Sequence, residues 1–365
     1  MFCPLGQSKG LPFFQKGKKI FKRGLKIFAF PRSQSFRYQT NIKLIIYLMA
    51  KFGIFLTMVG SVLGCGFFSG KEIAVFFTRF GAWSYLGVAL SFFLFFFVFR
   101  FLLSIGSSVT SKMRTSKPLL AINLSICIIF SSAMFACLQE ITGQAVSKFV
   151  FLMLVVAFCA LILKKGFSAF DRLNQFLVPL MIFAFLLLLC FNVDFSIPQT
   201  DSALPFPSIF YSILYCALNS ANSAVVIASL GQILEKKDKT RVAFFSALVL
   251  ALILFFANFI LLQNQDSLSS SMPFLTLISS WQSSILKIVI ALGALTTLFC
   301  LTYNFHITLK GKSYAFCFVL SILLPLLLSF LGYGFIVSYL EPTASVLSIM
   351  LILSFALSKS GGKIS

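Results

Sequence analysis

Long apolar runs, separated by short polar connections, dominate this chain. A membrane-spanning helix needs roughly 20 mostly apolar residues, and ten runs approach that length. They cover residues 52–68, 81–103, 118–138, 146–163, 176–191, 206–230, 243–262, 284–305, 315–331 and 335–357. The pattern predicts an all-α integral membrane protein with ten transmembrane helices.

The first apolar run is interrupted near its end. Four glycines fall within residues 60–70, and Lys71 and Glu72 follow at once. Glycine costs a helix about 1 kcal/mol relative to alanine, and backbone groups freed inside a bilayer need a partner other than lipid. We therefore predict that the first helix is discontinuous, which in secondary transporters indicates the binding site.

The sixth run contains a second polar interruption, ALNSANSA at residues 217–224. Asn and Ser side chains can bond backbone groups that a local unwinding leaves free. Because five spans precede this one, the second half enters the membrane from the opposite side, which makes any repeat an inverted one. We predict that helices 1 and 6 are both discontinuous; the alternative is that the patch only packs against a neighbouring helix.

Composition supports the membrane assignment. The chain is 59% hydrophobic and 11% charged, with a mean hydropathy of +0.99, which leaves too little polar surface for a soluble protein. A net charge of +21 would suggest nucleic acid in a soluble chain, but Lys and Arg concentrate in alternate connections. The positive-inside rule then predicts a multi-pass protein of the cell (inner) membrane with both termini cytoplasmic and no nucleic-acid partner. The nine cysteines show no CxxC spacing and are expected to be buried hydrophobes, so no metal site is predicted from them.

The predicted organisation has four parts. Residues 1–48 form a basic cytoplasmic extension without an acidic residue, interpreted either as an amphipathic membrane anchor or as a segment upstream of a natural start at Met49. Residues 49–192 and 193–358 form two five-helix repeats. Residues 359–365 form a short cytoplasmic tail.

Four segments suggest a family. They are GSVLGCGFFSGKEIAVFFTRF at 60–80, NQFLVP at 174–179, YCALNS at 215–220 and LLSFLGYG at 327–334. In this order they resemble the YkvI-like bacterial membrane proteins, over roughly residues 49–357. That family is similar to the amino acid-polyamine-organocation superfamily, and the resemblance implies the LeuT fold of two inverted five-helix repeats.

The resemblance also implies a site. Substrate contacts would come from the two interrupted helices, at Ser61, Gly64, Cys65, Gly66, Phe67, Asn219, Ser220, Asn222 and Ser223. A coupling ion, Na+ or H+, is expected, and a sodium site would combine carbonyl and hydroxyl oxygens. Its residues would be Gly60, Leu63, Gly293, Thr296 and Thr297. The alternative for the threonines is that each bonds a carbonyl of its own helix.

Charged residues near the spans are further candidates, because ionisable groups are costly in hydrocarbon. We predict that Glu140 and Glu341 join Lys71 and Glu72 in an outer gate, act as proton acceptors, or are solvated residues at helix ends, and the last interpretation is favoured.

No HExxH or CxxC motif occurs, so an enzyme is disfavoured. The sequence favours a secondary transporter of a small solute, an amino acid or other small zwitterion, working by ion-coupled alternating access. The alternative is a membrane sensor or scaffold of the same fold that does not transport. The predicted partners are the solute and the lipid bilayer.

Overall fold

The computed structural model describes residues 51–106, 108–143, 152–160, 170–192, 205–232 and 234–361. Within these ranges the backbone is helical or forms short turns and loops, and no strand occurs. The predicted basic extension at 1–48 lies outside the described residues, as do the last four residues of the predicted tail.

Fourteen helices are described here in chain order. They are α1 Lys51–Gly60, α2 Cys65–Ser69, α3 Lys71–Phe76, α4 Ser84–Ile105, α5 Ser108–Thr115, α6 Lys117–Thr142, α7 152–160, α8 Phe170–Phe191, α9 Pro205–Leu230, α10 Lys236–Gln263, α11 Pro273–Leu277, α12 Ser280–Thr308, α13 Tyr314–Leu331 and α14 333–361. A 3-10 turn, Thr78–Trp83, joins α3 to α4.

Seven of the described helices are long and apolar enough to cross a membrane: α4 with its leading turn, α6, α9, α10, α12, α13 and α14. The helix α1 and the Phe176–Phe191 part of α8 are shorter apolar helices. Each predicted run coincides with described helix except the run at 146–163, of which only 152–160 is described. The protein is therefore a multi-pass helical membrane protein.

The predicted break in the first span is confirmed. The helix α1 ends at Gly60, residues 61–64 are not helical, and α2 begins at Cys65. Gly70 then adopts a φ of 83°, which glycine reaches without steric cost, and separates α2 from α3. The first span thus consists of three short helices, which are separated by residues 61–64 and by Gly70.

The predicted break in the sixth span is wrong. The helix α9, Pro205–Leu230, runs without interruption through the polar patch. Within the patch, Asn219 Nδ2 donates to the Tyr215 carbonyl at 3.1 Å, and Ser223 Oγ donates to the Asn219 carbonyl at 2.8 Å. Each side chain bonds the carbonyl four residues earlier, which satisfies the polar group while leaving the helix intact.

The unbroken α9 is the central helix of the bundle. It packs along α4 and α14, and 83% of its apolar window is buried inside the protein. Small residues, Ala217, Ala221 and Ala224, are buried in its polar patch, and small residues allow membrane helices to approach closely. The helix α12 packs on α6, α8 and α2, which places it beside the break in the first span.

Two π turns interrupt the last two spans. Val319–Leu323 lies within α13 and Ile336–Leu340 lies within α14. Each ends two residues before a proline, Pro325 or Pro342. Proline lacks the N–H that would bond the carbonyl four residues earlier, so the backbone widens locally. The second π turn directly precedes Glu341.

The basic connections meet at one end of the bundle. Lys51 at the start of α1 forms an ion pair with Asp238 in the first turn of α10, with 2.8 Å between Nζ and Oδ2. Arg114 of α5 donates from Nε to the Ile307 carbonyl near the end of α12 at 3.1 Å. Each contact joins two segments that the sequence predicts to lie on the same side of the membrane. The connections rich in Lys and Arg therefore lie at one end of the bundle.

Candidate functional site

The break after α1 leaves backbone oxygens without partners. Among the described residues, no backbone N–H donates to the carbonyl oxygen of Gly60 or of Leu63. The Ser61 carbonyl accepts a bond from Ser223 Oγ of α9 at 3.3 Å. In a membrane protein, non-helical backbone is tolerated where protein covers it or where it lines a cavity. Both free carbonyls therefore lie where a ligand would satisfy them.

Thr297 of α12 lies against the same break. A Cβ atom built on Gly64 would be 3.1 Å from Thr297 Oγ1. That hydroxyl is buried and has no hydrogen-bond partner. Its neighbour Thr296 donates to the Gly293 carbonyl at 3.0 Å. The alternative in which a threonine bonds a carbonyl of its own helix thus applies to Thr296. Among the described residues, the Thr297 hydroxyl has no partner and lies beside the break.

Gly293 allows α12 to approach this closely. A Cβ atom at Gly293 would be 3.4 Å from the Gly64 carbonyl carbon and 2.8 Å from the Phe68 ring. Gly60 is equally confined on the other side, since a Cβ there would be 2.4 Å from Val178 Cγ2 of α8. Of the five residues predicted for an ion site, Gly64's neighbours Gly293 and Thr297 therefore lie directly against the break, and Gly60 packs against α8.

Glu72 turns back toward the break. Its Oε1 lies 1.8 Å from the position that a Cβ atom on Gly66 would take, so the carboxyl group rests on the glycine backbone. Glu72 is 1% exposed, and neither of its carboxyl oxygens has a hydrogen-bond partner. A buried carboxyl without a partner is expensive, so its presence here indicates a functional group.

Glu341 of α14 is a second buried carboxyl. It is fully buried, both of its oxygens lack hydrogen-bond partners among the described residues, and the π turn that precedes it packs against α3, which carries Glu72. The favoured interpretation of Glu341 as a solvated helix end is therefore wrong. The sequence places Glu72 and Glu341 each near the end of an apolar run, but tertiary packing of α3 against the π turn of α14 covers both.

Lys71 and Glu140 hold the segment between α10 and α12. Lys71 Nζ donates to the carbonyls of Leu268 and Ser270, at 3.3 and 2.9 Å. Glu140 is exposed, and its Oε1 accepts a hydrogen bond from Ser271 Oγ. Both residues therefore fasten residues 264–279 over one end of the bundle, as a gate would require.

Aromatic rings close the space beneath that segment. Phe274 of α11 is 1% exposed and its ring centroid lies 5.4 Å from that of Phe185 of α8. The Phe185 centroid is 5.1 Å from that of Phe68 in α2. A Cβ atom on Gly70 would be 2.8 Å from the Phe274 ring. We name Phe68, Phe185 and Phe274 the aromatic cover.

The predicted substrate residues of the first span are all buried. Ser61 Oγ donates to the Met58 carbonyl at 2.8 Å. Cys65 is fully buried, and its Sγ is 3.4 Å from Met134 Sδ of α6. Phe67 is 1% exposed. The break is therefore closed in this conformation.

The polar patch of α9 supplies further unpartnered atoms. Asn219 Oδ1, Ser220 Oγ and both polar side-chain atoms of Asn222 are buried without hydrogen-bond partners. Ser223 connects this patch to the break through the Ser61 carbonyl. The structure thus brings the two predicted substrate segments together, although only the first is broken.

One polar residue at the site was missed in the sequence. Tyr333, at the start of α14, is 1% exposed, and its hydroxyl lies 2.8 Å from Ser69 Oγ of α2. Tyr333 belongs to the LLSFLGYG segment, where it follows Gly332. Its location beside α2 depends on the packing of α14, which no local sequence pattern indicates.

Comparison with known proteins gives distant structural likenesses only. No protein-family model matches the chain, and no curated protein matches it. Two crystal structures of the manganese transporter of Eremococcus coleocola are similar, each with a TM-score of 0.44, covering 87% of this chain and 73% of the other. The one in complex with an aromatic bis-isothiourea substituted compound is 13% identical, and a histidine-to-alanine mutant is 14% identical. Likenesses of this size assign no residue a role.

Proposed function

We propose that this protein is a secondary transporter that binds a small polar solute at the break between α1 and α2. One observation carries the proposal: buried polar atoms without partners gather around that break, including Thr297 Oγ1 and the Glu72 carboxyl. Leaving such groups unsatisfied costs roughly 1–3 kcal/mol each. A protein that keeps several of them beside unwound backbone gains by binding a ligand there.

We further propose the ten-helix architecture of two inverted repeats, with the cell membrane as its location and both termini cytoplasmic. The match between ten apolar runs and the helical segments supports the number of spans. The meeting of basic connections at one end supports the orientation. In this architecture α9 corresponds to α1–α3 and differs from it in being unbroken.

The solute is proposed to be an amino acid or another small zwitterion. Its contacts would be Ser61, Gly64, Cys65, Gly66 and Phe67 of the first span and Asn219, Ser220, Asn222 and Ser223 of α9. The amide and hydroxyl groups of α9 supply both donors and acceptors. This set suits a molecule that carries both an ammonium and a carboxylate group.

For the coupling ion we propose Na+ at the Gly60 and Leu63 carbonyls and Thr297 Oγ1. All three oxygens are free of partners, and hard cations take oxygen ligands. Thr296 and Gly293 would support the site without binding the ion, because the Thr296 hydroxyl already bonds the Gly293 carbonyl.

A proton is the second candidate ion. The buried, unpartnered carboxyls of Glu72 and Glu341 favour it, since ionisable groups within membrane segments commonly mark proton paths. Titrating uptake at fixed sodium in the E72Q and E341Q variants distinguishes this candidate. A sodium dependence that persists while the pH dependence disappears would assign the carboxyls to protons.

Alternating access needs a gate, and we propose residues 264–279 with the aromatic cover for this role. Lys71 and Glu140 hold the segment closed. Opening would break these few polar contacts and separate Phe274 from Phe185. The native thiol of Cys65, buried beneath, would then become accessible to a thiol reagent.

The test is a thermal-shift screen of amino acids and other small zwitterions with and without Na+, followed by uptake of the stabilising compound into proteoliposomes. A ligand that binds only the folded state raises its stability. We expect Na+-dependent stabilisation that T297A abolishes and the matched variant T296A retains. Stabilisation by Na+ that survives T297A would remove the sodium assignment.

A sensor or scaffold of the same fold is the competing function. The unbroken α9 favours it, because a continuous helix lacks the second hinge point of a transporter. Accumulation that collapses when the ion gradient is dissipated would establish transport. Saturable binding without any flux would establish the sensor.

A further inference from the structure

A basic cavity lies at the end of the bundle where the positively charged connections meet. Its volume is about 340 Å³, and it lies between the last turns of α4 and the first turn of α10. The residues that line it are Phe97, Arg100, Phe101, Ser104, Lys236, Lys239 and Thr240. It is separate from the break in the first span.

The cavity is positively charged and no carboxylate lines it. Arg100, Lys236 and Lys239 contribute three cations, and no ion pair of theirs occurs among the described residues. Two acids lie at the start of α10: Asp238 is buried and paired with Lys51 at 2.8 Å, and Glu235 is exposed and does not line the cavity. Three unpaired cations around one concave surface attract an anion, and guanidinium groups suit phosphate in particular.

One wall of the cavity continues as an aromatic stripe. Phe93, Phe97 and Phe101 are spaced four residues apart on α4, so they lie on one face of that helix. Phe93 and Phe97 are 54% and 60% exposed, and the stripe extends from the charged end toward the middle of the span. A free phosphate would use only the cations, whereas a phospholipid would use both the cations and the stripe.

We propose that this cavity binds the headgroup of an anionic phospholipid, with an acyl chain along the Phe93–Phe97–Phe101 face. Arg100 and Lys239 bind the phosphate from the two helices, and Lys236 and Thr240 complete the headgroup site. Basic pockets between spanning helices at the cytoplasmic side are a known form of lipid recognition. The bound lipid would hold the ends of α4 and α10 together.

Native mass spectrometry of the purified protein tests the proposal, with phosphatidylglycerol and phosphatidylcholine as the probes. We expect selective retention of phosphatidylglycerol, weakened about fivefold in R100Q and about fivefold in K239Q. The matched control is K237Q, which removes an exposed neighbouring cation that does not line the cavity and should change retention little.

Two results would overturn the proposal. Equal losses in K237Q and K239Q would mean that the protein attracts anionic lipid by diffuse charge only. Displacement of phosphatidylglycerol by inorganic phosphate at matched concentration would mean that the aromatic stripe contributes nothing. The F97A variant tests the contribution of the aromatic stripe directly, because it should weaken lipid retention while all three cations remain.

Discussion

The first span and the sixth carry similar small and polar residues at the centre of the bundle, yet only the first is broken. Residues 60–70 contain four glycines, and residues 217–224 contain none. In α9 the patch residues Asn219 and Ser223 bond carbonyls four positions earlier. Polar side chains in a membrane helix can thus donate to carbonyls of their own helix without unwinding it.

The glycines of the first span instead allow other elements to approach the backbone. Val178 lies against Gly60, Glu72 against Gly66 and Phe274 against Gly70. Each contact occupies the place where a side chain would be. The comparison teaches that the break occurs where glycines cluster, four of them within residues 60–70, whereas the polar patch without glycine stays helical.

The largest expected effect is that of G70A. Gly70 has a φ of 83°, and an added Cβ would be 2.8 Å from the Phe274 ring. Left-handed backbone and overpacking together should cost about 3 kcal/mol. Unfolding of the purified protein in detergent measures this cost.

The control for this prediction is G311A. Gly311 has a φ of 96° with nothing within 4 Å of an added Cβ, so only the backbone cost of about 1–2 kcal/mol applies. Equal losses in G70A and G311A would show that the contact with Phe274 does not constrain the break.

G66A should be the next most harmful change. Its Cβ would collide with the Glu72 carboxyl, and overpacking of this kind costs about 2 kcal/mol. Removing that carboxyl in E72A should reduce the cost of the added methyl group. The double variant G66A/E72A should therefore lose less stability than the sum of the losses in G66A and E72A. A double-mutant cycle of unfolding measurements checks this, and purely additive costs would refute the contact.

A smaller effect is expected when a glycine is placed in α9. A221G should cost about 1 kcal/mol from backbone entropy alone, because the flanking hydrogen bonds stay intact. The matched variant is A247G, at a fully buried alanine of the unbroken α10. A much larger loss in A221G than in A247G would show that the polar patch is close to unwinding after all.

The smallest effect concerns the bond that joins the two spans. S223A removes a hydroxyl whose single proton is shared between the Asn219 carbonyl at 2.8 Å and the Ser61 carbonyl at 3.3 Å, and bonds between membrane helices contribute about 0.6 kcal/mol. S229A is the control, since Ser229 Oγ bonds only the Val226 carbonyl of its own helix. Indistinguishable stabilities would mean that the bond across the break adds nothing.

Sequence reasoning located the spans and the first break because both depend on local composition. The apolar runs at 81–103, 118–138 and 243–262 fall within described helices, since hydrocarbon thickness alone sets their length. It failed for α9, where the geometry of individual side-chain bonds decides between unwinding and continuity. Sequence reasoning also failed for Glu341, whose burial depends on helices distant in sequence.

The sequence by itself determined that this is a helical membrane protein, where its chain crosses hydrocarbon, and that the first span is interrupted. These properties follow from hydropathy and from glycine, which act within a few residues. Only the tertiary structure decided that Thr297 keeps a free hydroxyl beside Gly64, that Glu341 is buried, and that Tyr333 bonds Ser69. These contacts join residues far apart in the chain, and helix packing alone brings them together.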